Sequence, residues 1–188
     1  MKKEVERRKP KGFLDYTSLA VTTFGVGYLP LAPGTWGSLV GAGLYLIVDH
    51  LVAFFALGFR SNISELGWNP FLAWVHSIVL ILFLLLTLLG IWAAGRATEL
   101  LGNSDPSEAV VDEVIGQLIV FLFVPFGVGW VFVIAGFLLF RIFDIWKPYP
   151  IDYLQVLPGG IGVCADDILA GVYAGVCLSL IYAISLSI

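Results

Sequence analysis

An all-α, polytopic membrane bundle is the fold class this sequence predicts, and three observations predict it. The chain of 188 residues is 59% hydrophobic and 13% charged, with a mean hydropathy of +0.95, which is far too apolar for an ordinary soluble domain. Four stretches, 39 to 58, 71 to 94, 114 to 140 and 168 to 187, each approach the ~20 apolar residues that an α-helix needs to cross ~30 Å of hydrocarbon. The polar residues, finally, fall into a few compact groups between those stretches, so that whatever chemistry the chain performs is concentrated at segment ends.

The elements follow in order. Six of the ten Lys and Arg (Lys2, Lys3, Arg7, Arg8, Lys9 and Lys11) lie in the first eleven residues. Positive charge beside a span favours the cytoplasmic side, so the N-terminus is predicted inside. Residues 1–21 read as a basic arm resting on anionic lipid, worth about 1 kcal/mol per basic residue near the surface. They do not read as a cleavable leader, because Asp15 and Thr17 interrupt the apolar stretch that would follow. Membrane lipids are the expected partners and nucleic acid is not. Residues 22–188 read as one membrane-embedded domain.

Within that domain, the Gly- and Pro-rich "TTFGVGYLPLAPGTWGS" (22 to 38) leads into the first apolar helix, predicted to begin near Ser38. Asp49 and His50 interrupt its apolar run, which predicts an end near Val48 with the pair at a boundary; the alternative is an intramembrane acidic path in a small transporter, built from Asp49, His50, Asp112 and Glu113. Asp105, Pro106 and Glu108 have the spacing of an N-cap, a first-turn proline and a capping-box partner, so a helix is predicted to start there. Further on, Asp112, Glu113, Gly116 and Gln117 form one polar stripe of that helix, which needs a partner, water or a metal.

The third apolar stretch is interrupted by "VPFGVGW" (124 to 130), where Pro125 removes a backbone donor and Gly127 and Gly129 weaken a helix. A broken or re-entrant segment is therefore predicted, and it would bring all polar groups to one side. Beyond it, Arg141, Asp144 and Lys147 share a ~120° arc on a last helical turn that Pro148 ends. The Gly-rich "PGGIGVCADDILAG" (158 to 171) then delivers Asp166 and Asp167 to the predicted start of the last helix.

Gathered on one side, these groups supply five carboxylates (Asp112, Glu113, Asp144, Asp166 and Asp167), two cations (Arg141 and Lys147), and glycine-rich backbone at Gly34 with hydroxyls at Thr35 and Ser38. Carboxylate oxygens suit Mg²⁺, Arg and Lys grip phosphate, and glycines admit an anion to backbone N–H groups. Five acids cannot share a pocket ionised without a cation, so a divalent metal is expected among them.

The stretches "FGVGYLPLAPGTWGSL", "VVDEVIGQ", "FRIFDIWKPYPI" and "GGIGVCADDILAG", in this order, closely resemble the phosphatidylglycerophosphatase A family, from about Thr22 to Gly171. The resemblance implies an all-helical, Mg²⁺-dependent, multi-pass lipid phosphatase of the bacterial inner membrane. Its substrate would be phosphatidylglycerophosphate, its product phosphatidylglycerol, and its site would face the cytoplasm. It implies that the catalytic and metal-binding acids are drawn from Asp112, Glu113, Asp144, Asp166 and Asp167, with Arg141, Lys147, Thr35, Ser38 and Gly34 on the substrate phosphate. Attack by a metal-activated water and attack by an aspartate both stay open. A histidine-dependent phosphatase is disfavoured because His50 and His76 lie away from every motif, and the D-x-D-x-T signature of haloacid-dehalogenase-type phosphatases is absent. The small-xxx-small run from Gly171 to Gly175 fits helix packing within one chain or between two.

Overall fold

A computed structural model describes residues 5–58 and 68–188; Lys2 and Lys3 of the basic arm lie outside the described residues. The described residues form helices joined by turns: α1 (Phe13–Thr23), a single 3₁₀ turn (Val26–Tyr28), α2 (Pro33–Gly58), α3 (Trp68–Leu101), α4 (Val111–Phe121), α5 (Trp130–Trp146), α6 (Ile151–Leu154) and α7 (Gly159–Ser185). Three of them, α2, α3 and α7, are long and apolar enough to cross a membrane. The third apolar stretch is divided as its Pro and Gly residues predict, into α4 and α5 with a turn between.

Helix α4 is the hub. Nine of its residues are buried, among them Asp112, Gly116 and Gln117, while α2, α5 and α7 pack around it. The α4–α7 crossing is close because both sides are glycine: a side-chain carbon on Gly171 would collide with the Gly116 carbonyl, and one on Gly116 would meet the Asp167 carbonyl at 2.6 Å. Gly175 abuts the Phe123 ring, so the run from Gly171 to Gly175 serves packing inside this chain.

The turn between α4 and α5 lies deep. At its top, Gly90 of α3 faces Val111 and Ile115; lower down, the His76 ring of α3 lies 5.3 Å from that of Phe126. At ~1.5 Å rise per residue those two levels are about 21 Å apart. The turn carries a backbone donor at that level, the Gly127 N–H, and Asp49 Oδ1 accepts it at 2.6 Å. Non-helical backbone at membrane depth needs such protein partners.

That bond also corrects the expected end of the first helix near Val48. Helix α2 runs on through Asp49 and His50 to Gly58, because the carboxylate has a partner within the bundle. Helix α2 begins at Pro33 rather than near Ser38, which places Gly34, Thr35 and Ser38 on its first turns. The helix predicted from Asp105 starts only at Val111. Ala109 N–H closes a turn onto the Pro106 carbonyl (3.0 Å), and Val110 N–H is taken by the Thr22 carbonyl of α1 (2.9 Å), so a tertiary bond overrides the capping pattern. The last helix starts earlier than predicted, at Gly159, since Gly160 packs against the Ile91 carbonyl of α3; Asp166 and Asp167 therefore sit inside α7 and do not cap it.

Helix α1 is held by charge. The Asp15 carboxylate is buried and receives Arg8 at 2.7 and 3.1 Å, Arg96 of α3 at 2.6 Å, and the Lys11 backbone N–H at 2.6 Å. The Arg8 hydrogen bonds foremost, then the Lys11 amide, hold its pKa well below the usual carboxylate range. Replacing Gly171 with alanine is expected to lower stability by about 1–3 kcal/mol through overpacking at the α4–α7 crossing. Thermal unfolding in detergent, followed by circular dichroism, measures it.

Candidate active site

The polar groups predicted to gather do gather, at the end of the bundle where α2 and α4 begin and α5 ends. They divide into two sets. Asp112 and Glu113 stand in the first turn of α4 and Asp167 faces them from α7; one ligand oxygen from each lies within 4.8 Å of the other two. Asp112 Oδ1 and Glu113 Oε2 are buried and have no hydrogen-bond partner. Burial first, and then the neighbouring charges of Glu113 and Asp167, push the Asp112 pKa well up; burial likewise raises that of Glu113.

Asp144 and Asp166, by contrast, are engaged. Arg141 Nη1 donates to Asp144 Oδ2 at 2.6 Å, and Lys147 Nζ lies 3.9 Å from Asp144 Oδ1. Asp166 Oδ2 accepts from Lys147 Nζ at 2.5 Å and from Gln155 Nε2 at 3.1 Å. Lys147 terminates α5 in a left-handed conformation (φ 46°), which turns its side chain off the helix axis toward α7. Burial opposes its charge, yet the Asp166 hydrogen bond and the charges of Asp166, Asp167 and Asp144 outweigh it, and its pKa is raised.

The glycine-rich entry to α2 closes the site. A side-chain carbon on Gly34 would collide with Glu113 Oε1 and come within 3.1 Å of Arg141 Nη1, so only glycine lets these two approach the α2 backbone. Ser38 Oγ donates to the Gly34 carbonyl (2.9 Å) and lies 3.4 Å from Arg141 Nη1. Thr35 occupies the same turn, its N–H bonded to the Ala32 carbonyl at 2.9 Å. All ten residues singled out in the sequence thus belong to one region. Gln155 was not singled out: it lies in no motif, and only the fold of 147–158 back over α7 brings it to Asp166.

Chemically, the first set offers oxygen donors alone, two of them buried without other partners, which fits a hard divalent cation such as Mg²⁺. The second set offers two cations fixed by carboxylates, which fits a phosphate.

Comparison with known proteins covers the part of the chain that holds these residues. The family described as Phosphatidylglycerophosphatase A matches residues 19–182. A Bacteroides thetaiotaomicron protein named putative phosphatidylinositol-3-phosphatase is 39% identical over 85% of this chain and 89% of its own. Proteins named phosphatidylglycerophosphatase A from Haemophilus influenzae and Escherichia coli are 35% and 33% identical, over 88% and 90% of this chain and 88% and 85% of theirs. No solved structure matches.

The raised carboxyls make a stability test with a definite sign. A group whose folded pKa is raised contributes stability below its unfolded pKa and loses it as pH rises through the folded value. Metal-free protein is therefore expected to lose thermal stability as pH climbs out of the acidic range, and Asp112→Asn is expected to flatten that loss while lowering turnover at least ~100-fold. Melting curves across pH, with turnover assayed in parallel, check both halves.

Proposed function

The chain belongs to the phosphatidylglycerophosphatase A family, and from that membership we propose that it hydrolyses the terminal phosphomonoester of phosphatidylglycerophosphate, giving phosphatidylglycerol and phosphate in a Mg²⁺-dependent reaction. The observation that carries the reading is the pair of sets: three converging carboxylates, two of them with an unpartnered buried oxygen, beside an Arg and a Lys.

Asp112, Glu113 and Asp167 are the residues that would hold Mg²⁺, which when bound neutralises phosphate charge and acidifies water. Arg141, whose planar fork has donors beyond the one given to Asp144, grips the phosphate bidentately, and Lys147 adds a point charge. Asp144 and Asp166 are positioning residues: they aim the two cations, Asp166 with help from Gln155. The α2 turn at Gly34, Thr35 and Ser38 cradles the phosphate from the other side. Glu113 Oε1, beside Gly34 and Arg141, takes a proton from the attacking water as the water oxygen bonds to phosphorus and the phosphorus–oxygen bond to the glycerol breaks; that proton then passes to the departing alkoxide, so the lipid alcohol leaves neutral and the Glu113 carboxylate is restored.

The cluster lies at segment ends, so a headgroup phosphate reaches it while the acyl chains stay in the bilayer. The basic first eleven residues support a cytoplasmic orientation in the inner membrane of a bacterium. Asp49, the acid that suggested a transport path, is bonded to the Gly127 amide, which supports a structural role for it. The Bacteroides relative's name favours a second substrate for the same chemistry, a phosphorylated inositol headgroup.

Purified protein in mixed micelles is expected to release phosphate from phosphatidylglycerophosphate, to stop with EDTA and to recover with Mg²⁺; faster release from phosphatidylinositol phosphate would instead favour the second substrate. Glu113→Gln is expected to lower kcat by about 10²–10⁴-fold. Arg141→Lys, which keeps charge and loses the fork, is expected to raise KM more than it lowers kcat. Phosphate release that ignores EDTA would remove the metal from the reading.

A further inference from the structure

Helix α1 is built inside out. Its polar residues Asp15, Ser18, Thr22 and Thr23 point inward and are 0 to 2% exposed, whereas Phe13, Leu14 and Tyr16 are 81%, 53% and 61% exposed. Ordinary amphipathicity runs the other way, and an apolar face of this kind needs a cover. The polar face is locked by the Asp15 bonds to Arg8 and Arg96, so the helix cannot roll to hide its aromatic side. The apolar exposure continues at Tyr28 and Leu31, just before α2 enters the bundle.

What covers that face is indicated by its flank. Arg7, Lys9 and Lys11 are exposed immediately before Gly12, at the N-terminal end of α1. A second copy of the chain packed here about a two-fold axis would bring those cations to the interface from both sides, against like charge. A layer of anionic headgroups meets them with opposite charge, and amphipathic rings such as Tyr16 and Tyr28 suit that layer.

We propose that α1 is an interfacial helix: Phe13, Leu14 and Tyr16 lie in the headgroup layer of the membrane, and Arg7, Lys9 and Lys11 bind its anionic lipids. This gives the site a fixed height. The Thr22 carbonyl holds the Val110 N–H, two residues before Asp112, so a helix seated in the headgroup layer sets the level of the carboxylates.

The test needs no knowledge of the reaction. Spin labels are placed by Phe13→Cys, Tyr16→Cys and Lys11→Cys, in a folded background with Cys164 and Cys177 replaced by alanine, and the protein is set in nanodiscs of zwitterionic lipid with or without an anionic lipid. The labels at 13 and 16 are expected to collide with oxygen more than with a water-soluble nickel chelate, and the label at 11 to do the reverse. Anionic lipid is expected to drive 13 and 16 deeper, an increment lost in Lys9→Gln with Arg7→Gln. Nickel-dominated collisions at 13 and 16 would overturn the proposal. So would exclusion of both reagents with a doubled particle mass, since a second copy then covers the face; a depth that ignores anionic lipid overturns the assigned partner.

Discussion

Asp112 and Glu113 cannot share their corner of the bundle with Asp167 as bare anions. Two unit charges 4 Å apart repel by ~4 kcal/mol at an effective dielectric of about 20, and three carboxylates here bring oxygens within 4.8 Å of one another. Their position in the first turn of α4 helps, because the helix N-terminus favours negative charge, but that is worth only ~0.3–1 kcal/mol. Protons or a cation must supply the rest. The raised pKa of Asp112 expresses the first solution, and its unpartnered oxygen leaves room for the second.

Much of the architecture serves to keep that set together. Asp112 and Glu113 reach Asp167 only because glycines at 116 and 171 let α4 and α7 cross closely. The cations reach the set only because the chain turns back after α4, so that Arg141 and Lys147 return to the level from which α4 set out. The turn in its place depends on Asp49, a charged residue well inside α2 whose bond to Gly127 satisfies backbone that lipid could not. Asp144 and Asp166 hold the two cations in ion pairs of their own, beside Asp112, Glu113 and Asp167. One corner of the bundle thus holds two sets, three carboxylates that need protons or a cation and two acid–base pairs that balance each other.

The sequence made the helices and the gathering of the motifs legible, because both follow from periodicity, from the Pro125, Gly127 and Gly129 break, and from a resemblance carried by contiguous residues. It did not reveal the sorting of the acids. Asp112 and Asp144 are the same residue type at similar segment ends; the pairing of Asp144 with Arg141 is local to one helical turn, whereas the Lys147–Asp166 pair and the approach of Asp167 to Asp112 and Glu113 depend on tertiary packing. Boundaries failed for the same reason. The capping pattern at Asp105 was overridden by a bond from Val110 to Thr22, and the glycines after Pro158 were absorbed into α7 by contact with α3. Helix α1 was hidden because its pattern is inverted: Asp15 among aromatic residues reads as an interruption until Arg8 and Arg96 are seen to hold it from two sides.

Locating the ion decides whether these distant acids converge on one divalent cation. Anomalous diffraction at the manganese edge, from crystals grown with Mn²⁺ in place of Mg²⁺, is expected to show a peak bound by Asp112, Glu113 and Asp167. A peak held by Asp144 and Asp166 in their stead, or none at a concentration that supports turnover, would mean that Asp112, Glu113 and Asp167 do not share a catalytic ion.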